Sequence, residues 1–151
     1  MALDPGITSD EIVQRAYGDL VLDWYRSGFV ERGALAFVNL YLYGGLFDLP
    51  AQWLISTGFS PWGRYETRHV LSALVAVAGI VATWLSARRI AGSRAGFFAG
   101  ALLALTPAWV GHGLFNSKDI PFGTGAAFVV YASVRIAMRR PPLTWGDALW
   151  A

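Results

Sequence analysis

The stretch His112-Gly113-Leu114-Phe115-Asn116-Ser117-Lys118-Asp119-Ile120-Pro121-Phe122 is a polar hinge set between two long apolar runs. Asp followed closely by Pro is a good helix start, because the carboxylate accepts from the free N–H groups of a first turn and Pro has no N–H to lose. The pattern predicts one apolar helix ending near Ser117 and another beginning at Asp119. Charged groups in or near a membrane span are costly, so a Lys-Asp pair at the mouth of two such helices is a candidate functional feature. The plainer reading is a capping Asp beside a snorkelling Lys.

Outward from the hinge, the apolar runs set the fold class. Residues 70–87 carry no charge and are bracketed by Arg68-His69 and Arg88-Arg89, which predicts a transmembrane helix. A basic turn, 88–94, leads to a second uncharged run over 95–117. In it Gly96 and Gly100 are spaced for close helix contact, and Pro107 is expected to bend or end the helix. A third span is read from about Asp119 to Met138, closed by Arg139-Arg140. The whole composition agrees: 55% of residues are hydrophobic, 15% are charged and the mean hydropathy is +0.44, so the expected class is an all-α integral membrane protein.

Composition also excludes. Without cysteine there is neither a disulfide nor a thiolate metal site. A net charge of +2 spread over scattered basic residues gives no nucleic-acid footprint. Residues 1–10 have neither the basic nor the apolar region of a signal peptide.

Residues 1–68 read differently from the spans. From Asp10, apolar Ile12, Val13, Ala16, Tyr17, Leu20, Val21, Trp24 and Tyr25 recur at helical spacing opposite Gln14, Arg15, Asp19 and Asp23. Asp10 and Glu11 stand at the N-terminus of this helix, where its dipole favours acids. Trp and Tyr on the apolar side suit a helix lying in the membrane interface, although a core helix of a soluble unit has the same pattern. Residues 34–59 are aromatic but interrupted by Gly44-Gly45, Asp48 and Pro50, and are read as two short interfacial or re-entrant helices.

The basic flanks Arg88, Arg89, Arg94, Arg135, Arg139 and Arg140 fall on one side, which the positive-inside rule makes cytoplasmic. Asp10, Glu11 and Asp119 are then expected on the extracytoplasmic face. The expected organisation is an acidic extracytoplasmic loop with interfacial helices (1–68), three transmembrane helices (69–140), and the start of a further segment (141–151) signalled by Thr144-Trp145-Gly146-Asp147. Nothing in residues 1–68 would itself direct them outward, so the chain is read as a piece of a larger membrane protein.

Ser9-Asp10-Glu11 opening an amphipathic helix, Leu42-Tyr43-Gly44-Gly45-Leu46-Phe47-Asp48-Leu49, Arg68-His69 entering a span, and Phe115 to Phe122 together resemble membrane glycosyltransferases of the GT-C class. Within that class the likeness is to the N-terminal portion of the dolichyl-phosphate-mannose protein mannosyltransferase and aminoarabinose transferase superfamily. It covers roughly residues 8–140 and rests on the order and spacing of the motifs. The resemblance implies an integral protein of the bacterial inner membrane. It also implies transfer of a sugar from a polyprenyl-phosphate donor to a protein, lipid or glycan acceptor on the extracytoplasmic face. Asp10-Glu11 match the family's acidic motif in its first external loop, and Asp119 matches a second acidic position at the start of a later helix.

Such a transfer needs a base for the acceptor hydroxyl, and a carboxylate within hydrogen-bond reach serves. Asp10 is the candidate base, with Glu11 and Asp119 as further catalytic candidates. The leaving phosphate needs fixed cationic or donor partners. Lys118, Arg64, Arg68 and His112, with His69 nearby, are the candidates, although snorkelling or headgroup binding accounts for the lysine and arginines equally well and the histidines also read as polar trim of the interface. A divalent metal is left open, because carboxylates without His at ligand spacing do not decide it. Two other readings stand beside the enzyme: a non-catalytic fragment or accessory membrane subunit, and a transporter component. The uncharged spans speak against the transporter.

Overall fold

The computed structural model describes residues 6–139 and residue 146. Arg140 and the helix start expected at 144–147, Gly146 apart, lie outside them. Every regular element among the described residues is helical: α1 (Ser9–Arg26), two single 3-10 turns (Gly33–Ala36 and Leu40–Leu42), α2 (Asp48–Ser56), α3 (Arg64–Leu105), α4 (Pro107–Phe115) and α5 (Asp119–Ala137). The chain divides into two compact units. The first runs up to Ala73 and includes Gly113–Lys118; the second comprises Leu74–His112 and the chain from Asp119 onward.

In the first unit, α1 starts on a capping box. Thr8 has extended backbone angles, and its N–H donates to Glu11 Oε2 at 2.7 Å while its hydroxyl reaches the same oxygen at 3.1 Å. The core is Tyr17, Val21, Ala34 and Leu40, with Leu20, Phe37 and Leu49 against it; Tyr17 and Phe37 stack with ring centroids 6.5 Å apart. Fully burying a valine or leucine side chain such as Val21 or Leu40 contributes about 1.5–3 kcal/mol. Gly18 of α1 faces α2, where a Cβ would make ordinary contact with the Gln52 Cβ at 3.4 Å and the Asp48 carbonyl at 3.5 Å.

The segment expected as two short helices is instead two 3-10 turns followed by one α-helix. Gly44, with φ +74°, turns the chain where a residue with a Cβ is strained. Pro50 then falls inside the first turn of α2, where no amide proton is required.

The second unit contains the reversal predicted for the basic turn. Ala91 (φ −135°, ψ 16°) and Gly92 (φ 85°, ψ −179°) break α3 into arms 64–90 and 93–105. The Gly92 angles belong to a region open essentially to glycine alone. Gly96 and Gly100 lie against Trp84 of the preceding arm, and a Cβ on Gly96 would fall 2.9 Å from the Trp84 carbonyl oxygen. Further along, Trp109 Nε1 donates to the Ala76 carbonyl at 3.2 Å and Thr124 Oγ1 to that of Val75 at 2.9 Å, both beside Gly79. The Arg89 guanidinium sits over the Tyr131 ring, 5.4 Å from its centroid, and so joins the basic turn to α5.

Pro107 separates α3 from α4 as anticipated, with the Thr106 carbonyl still accepting from the Val110 N–H at 3.1 Å. Where three spans were expected, two helices among the described residues, α3 and α5, are long and apolar enough to cross a membrane. The middle expected span corresponds to the second arm of α3 together with α4. Phe97, Leu102 and Phe122 point large apolar side chains outward, at 66%, 69% and 80% exposure. Water penalises such surfaces and a bilayer does not. The fold is that of an all-α integral membrane protein.

Candidate active site

Arg68-His69, near the start of α3, are surrounded within the first unit by α1, α2 and residues 113–118, the end of α4 and the loop that follows it. Helical spacing puts Glu11, Gln14 and Gly18 of α1 on one face. The Glu11 carboxylate pairs with His69 Nε2, and both side chains are almost wholly buried. The edge of the Phe115 ring approaches the same imidazole, with centroids 5.6 Å apart.

One turn further along α1, Gln14 Oε1 accepts from the Ser117 hydroxyl at 3.1 Å, and Ser117 lies 3.4 Å from the Arg68 guanidinium. Arg68 forms a buried ion pair with Asp48, the first residue of α2, and its guanidinium stands 5.5 Å from the Phe47 ring centroid. Separately, Gln52 Nε2 of α2 donates to Asp19 of α1. Burial pushes the Asp48 carboxyl above its ordinary value, against the charge and hydrogen bond of Arg68 and the charge of Lys118, which draw it back. The Tyr17 phenol is also raised, by burial first and then by the negative charge of Asp48.

Above this buried layer lies an exposed one. Asp10 precedes Glu11 by one residue and its side chain is 80% exposed, with Oδ2 4.0 Å from the Lys118 ammonium. Lys118 is half-buried, and its Nζ stands 5.2 Å from the centroid of the exposed Tyr43 ring. The Lys118 backbone N–H donates to Asn116 Oδ1 at 3.1 Å, which fixes the loop. The first unit thus brings together Asp10, Glu11, Arg68 and Lys118. Arg64 is exposed at the first position of α3. Asp119, which opens α5, and His112, in the last turn of α4, are exposed and belong to the second unit.

The sequence motifs contain Asp48, Tyr43 and Ser117, and the polar face of α1 contains Gln14, but none of the four was assigned a place in the site from the sequence. The available signal for Asp48 was an acid at a helix start two residues before Pro50, the same pattern that drew attention to Asp119. Among the described residues, no three His, Cys, Asp or Glu side chains converge as a metal site.

Residues 50–150 match the family model for dolichyl-phosphate-mannose-protein mannosyltransferase, well over half of the chain. The chain belongs to that family. It is accordingly a membrane glycosyltransferase of the GT-C type, in agreement with the resemblance drawn from its motifs. The match includes α2 from Pro50 onward, α3, α4 and α5, hence Arg68, His69, Ser117 and Lys118. Neither curated proteins nor solved structures gave a match.

Proposed function

We propose that this mannosyltransferase-family chain transfers a sugar from a polyprenyl-phosphate donor to an acceptor hydroxyl at the extracytoplasmic membrane surface, with Asp10 as the base. The observation that carries this reading is the division of labour between neighbours: Glu11 is buried against His69, while Asp10 stands exposed 4.0 Å from Lys118. A base must reach a hydroxyl brought by the substrate, and a cation beside it can take up the charge of the departing phosphate. An exposed ion pair at the limit of contact is worth little, so a sugar phosphate separates the two groups at small cost.

In this mechanism the acceptor oxygen, losing its proton to the Asp10 carboxylate, forms the bond to C1 of the sugar. The C1–O bond to phosphate breaks, and its electron pair leaves on the polyprenyl phosphate, whose charge Lys118 meets. Arg68 acts from beneath by holding Ser117, and with it the loop that carries Lys118. Asp119, Arg64 and His112 remain proposals for acceptor and headgroup contacts. The orientation follows from the basic residues 88–94 and 135–139, taken as cytoplasmic.

The test is Asp10→Asn in the whole protein, assayed in membranes with a polyprenyl-phosphate sugar. Turnover falls about 10²- to 10⁴-fold with normal membrane insertion. Undiminished transfer would remove Asp10 from the chemistry and favour a non-catalytic or accessory role.

A further inference from the structure

The Tyr43 ring meets the half-buried Lys118 ammonium, and several independent features hold it there. Its N–H donates to the Leu40 carbonyl at 3.0 Å, ending the second 3-10 turn. The chain then reverses at Gly44, where φ is +74°, and passes so close to α1 that a Cβ on Gly45 would lie 2.9 Å from Val21 Cγ1. The strap is therefore seated on the α1 core with its Tyr43 ring displayed toward the 113–118 loop. Tyr43 as a residue is 59% exposed, yet the Lys118 ammonium stands 5.2 Å from the centroid of its ring.

A lysine has a flexible four-carbon stem and compact charge, and in water it samples many directions. The π-face restricts it without neutralising it, whereas Asp10 is only 4.0 Å away and would otherwise draw the ammonium to itself. We propose that Tyr43 is a positioning residue. It holds Lys118 poised between the aromatic face and Asp10, so that the ammonium is available to the phosphate of a polyprenyl-phosphate ligand. This rests on the reading of Lys118 as the phosphate-binding cation. It gives the 40–45 strap a role in ligand selection, one that an ordinary interfacial tyrosine does not have.

The experiment measures equilibrium binding of a polyprenyl monophosphate and of the corresponding polyprenol to the solubilised chain, and compares their ratio among variants. Tyr43→Leu, which keeps apolar bulk and removes the π-face, lowers the preference for phosphate about two- to fivefold; Tyr43→Phe leaves it unchanged. Lys118→Met abolishes the preference, and polyprenol binding is the same throughout. Tyr43→Ala serves as a second deletion of the ring should the leucine variant fold poorly, as judged by thermal unfolding. An unchanged ratio in the folded Leu or Ala variant overturns the proposal. So does an equal loss for both ligands, which would make Tyr43 a lipid-interface residue, and so does a wild-type chain that does not prefer the phosphate. Asp10→Asn separates this from the catalytic reading: full transfer by that variant sinks Asp10 as base and leaves the phosphate ratio to decide Tyr43.

Discussion

The Arg68 guanidinium and the Asp48 carboxylate, one from the start of α3 and the other from the start of α2, form an ion pair nearly closed to solvent, at 3% and 5% side-chain exposure. It ties the helix that leads toward the spans to the amphipathic layer of α1 and α2. Removing one partner of such a pair is expensive because the other charge stays buried.

Arg68→Met should therefore destabilise the first unit by about 3–5 kcal/mol near neutral pH, and the loss should shrink in acid. The Asp48 carboxyl is already raised by burial, and loss of Arg68 raises it further by removing the leading opposing influence. A folded pKa above the unfolded one means that stability is retained below the unfolded value and lost as pH rises through the folded one. The variant's deficit against wild type should accordingly be smaller at about pH 5 than at about pH 8. Asp48→Asn offers the contrast, since a stranded guanidinium cannot shed its charge and no carboxyl is left to take up a proton, so its deficit should not shrink in acid. Thermal unfolding in detergent at several pH values measures both.

Asp10 and Glu11 should separate cleanly in a stability assay. Glu11→Ala removes the capping interaction with Thr8 and strands buried His69, and is expected to cost roughly 2–4 kcal/mol. Asp10→Asn should leave the unfolding midpoint almost unchanged, because its contact with Lys118 is exposed. Equal losses in the two variants would mean that both acids are structural.

Gly45 offers a packing test of the strap. Gly45→Ala places a methyl group 2.9 Å from Val21 Cγ1, tighter than packed carbons tolerate, and should cost about 1–3 kcal/mol. Shortening the neighbour in Gly45→Ala/Val21→Ala should recover part of that loss. A double-mutant cycle on unfolding free energies gives the coupling directly, and simple additivity would refute the contact.

Much of the chain is legible without coordinates because the relevant signals are local. The amphipathic pattern from Asp10 to Tyr25 corresponds to α1, the uncharged run 70–87 lies within α3, and the Asp-x-Pro start at Asp119 is the first residue of α5. The reversal between Arg88 and Arg94 was visible as a charge cluster, although the strained pair Ala91-Gly92 at its centre was not. Residues 34–59 misled for a physical reason: 3-10 turns have no extended periodicity, and Asp48 looks like an intruder until its partner is known.

By itself, then, the sequence determined the class of protein, the apolar helices and their basic ends, because bilayer thickness and helix periodicity act on contiguous residues. It also brought Asp10, Glu11 and Lys118 forward as chemistry. Which of two adjacent acids is buried, what neutralises Arg68 and which ring faces Lys118 were decided only by the tertiary structure. Those relations join Glu11 to His69, Asp48 to Arg68 and Tyr43 to Lys118 across long stretches of chain, and desolvation acts on the neighbours that folding supplies.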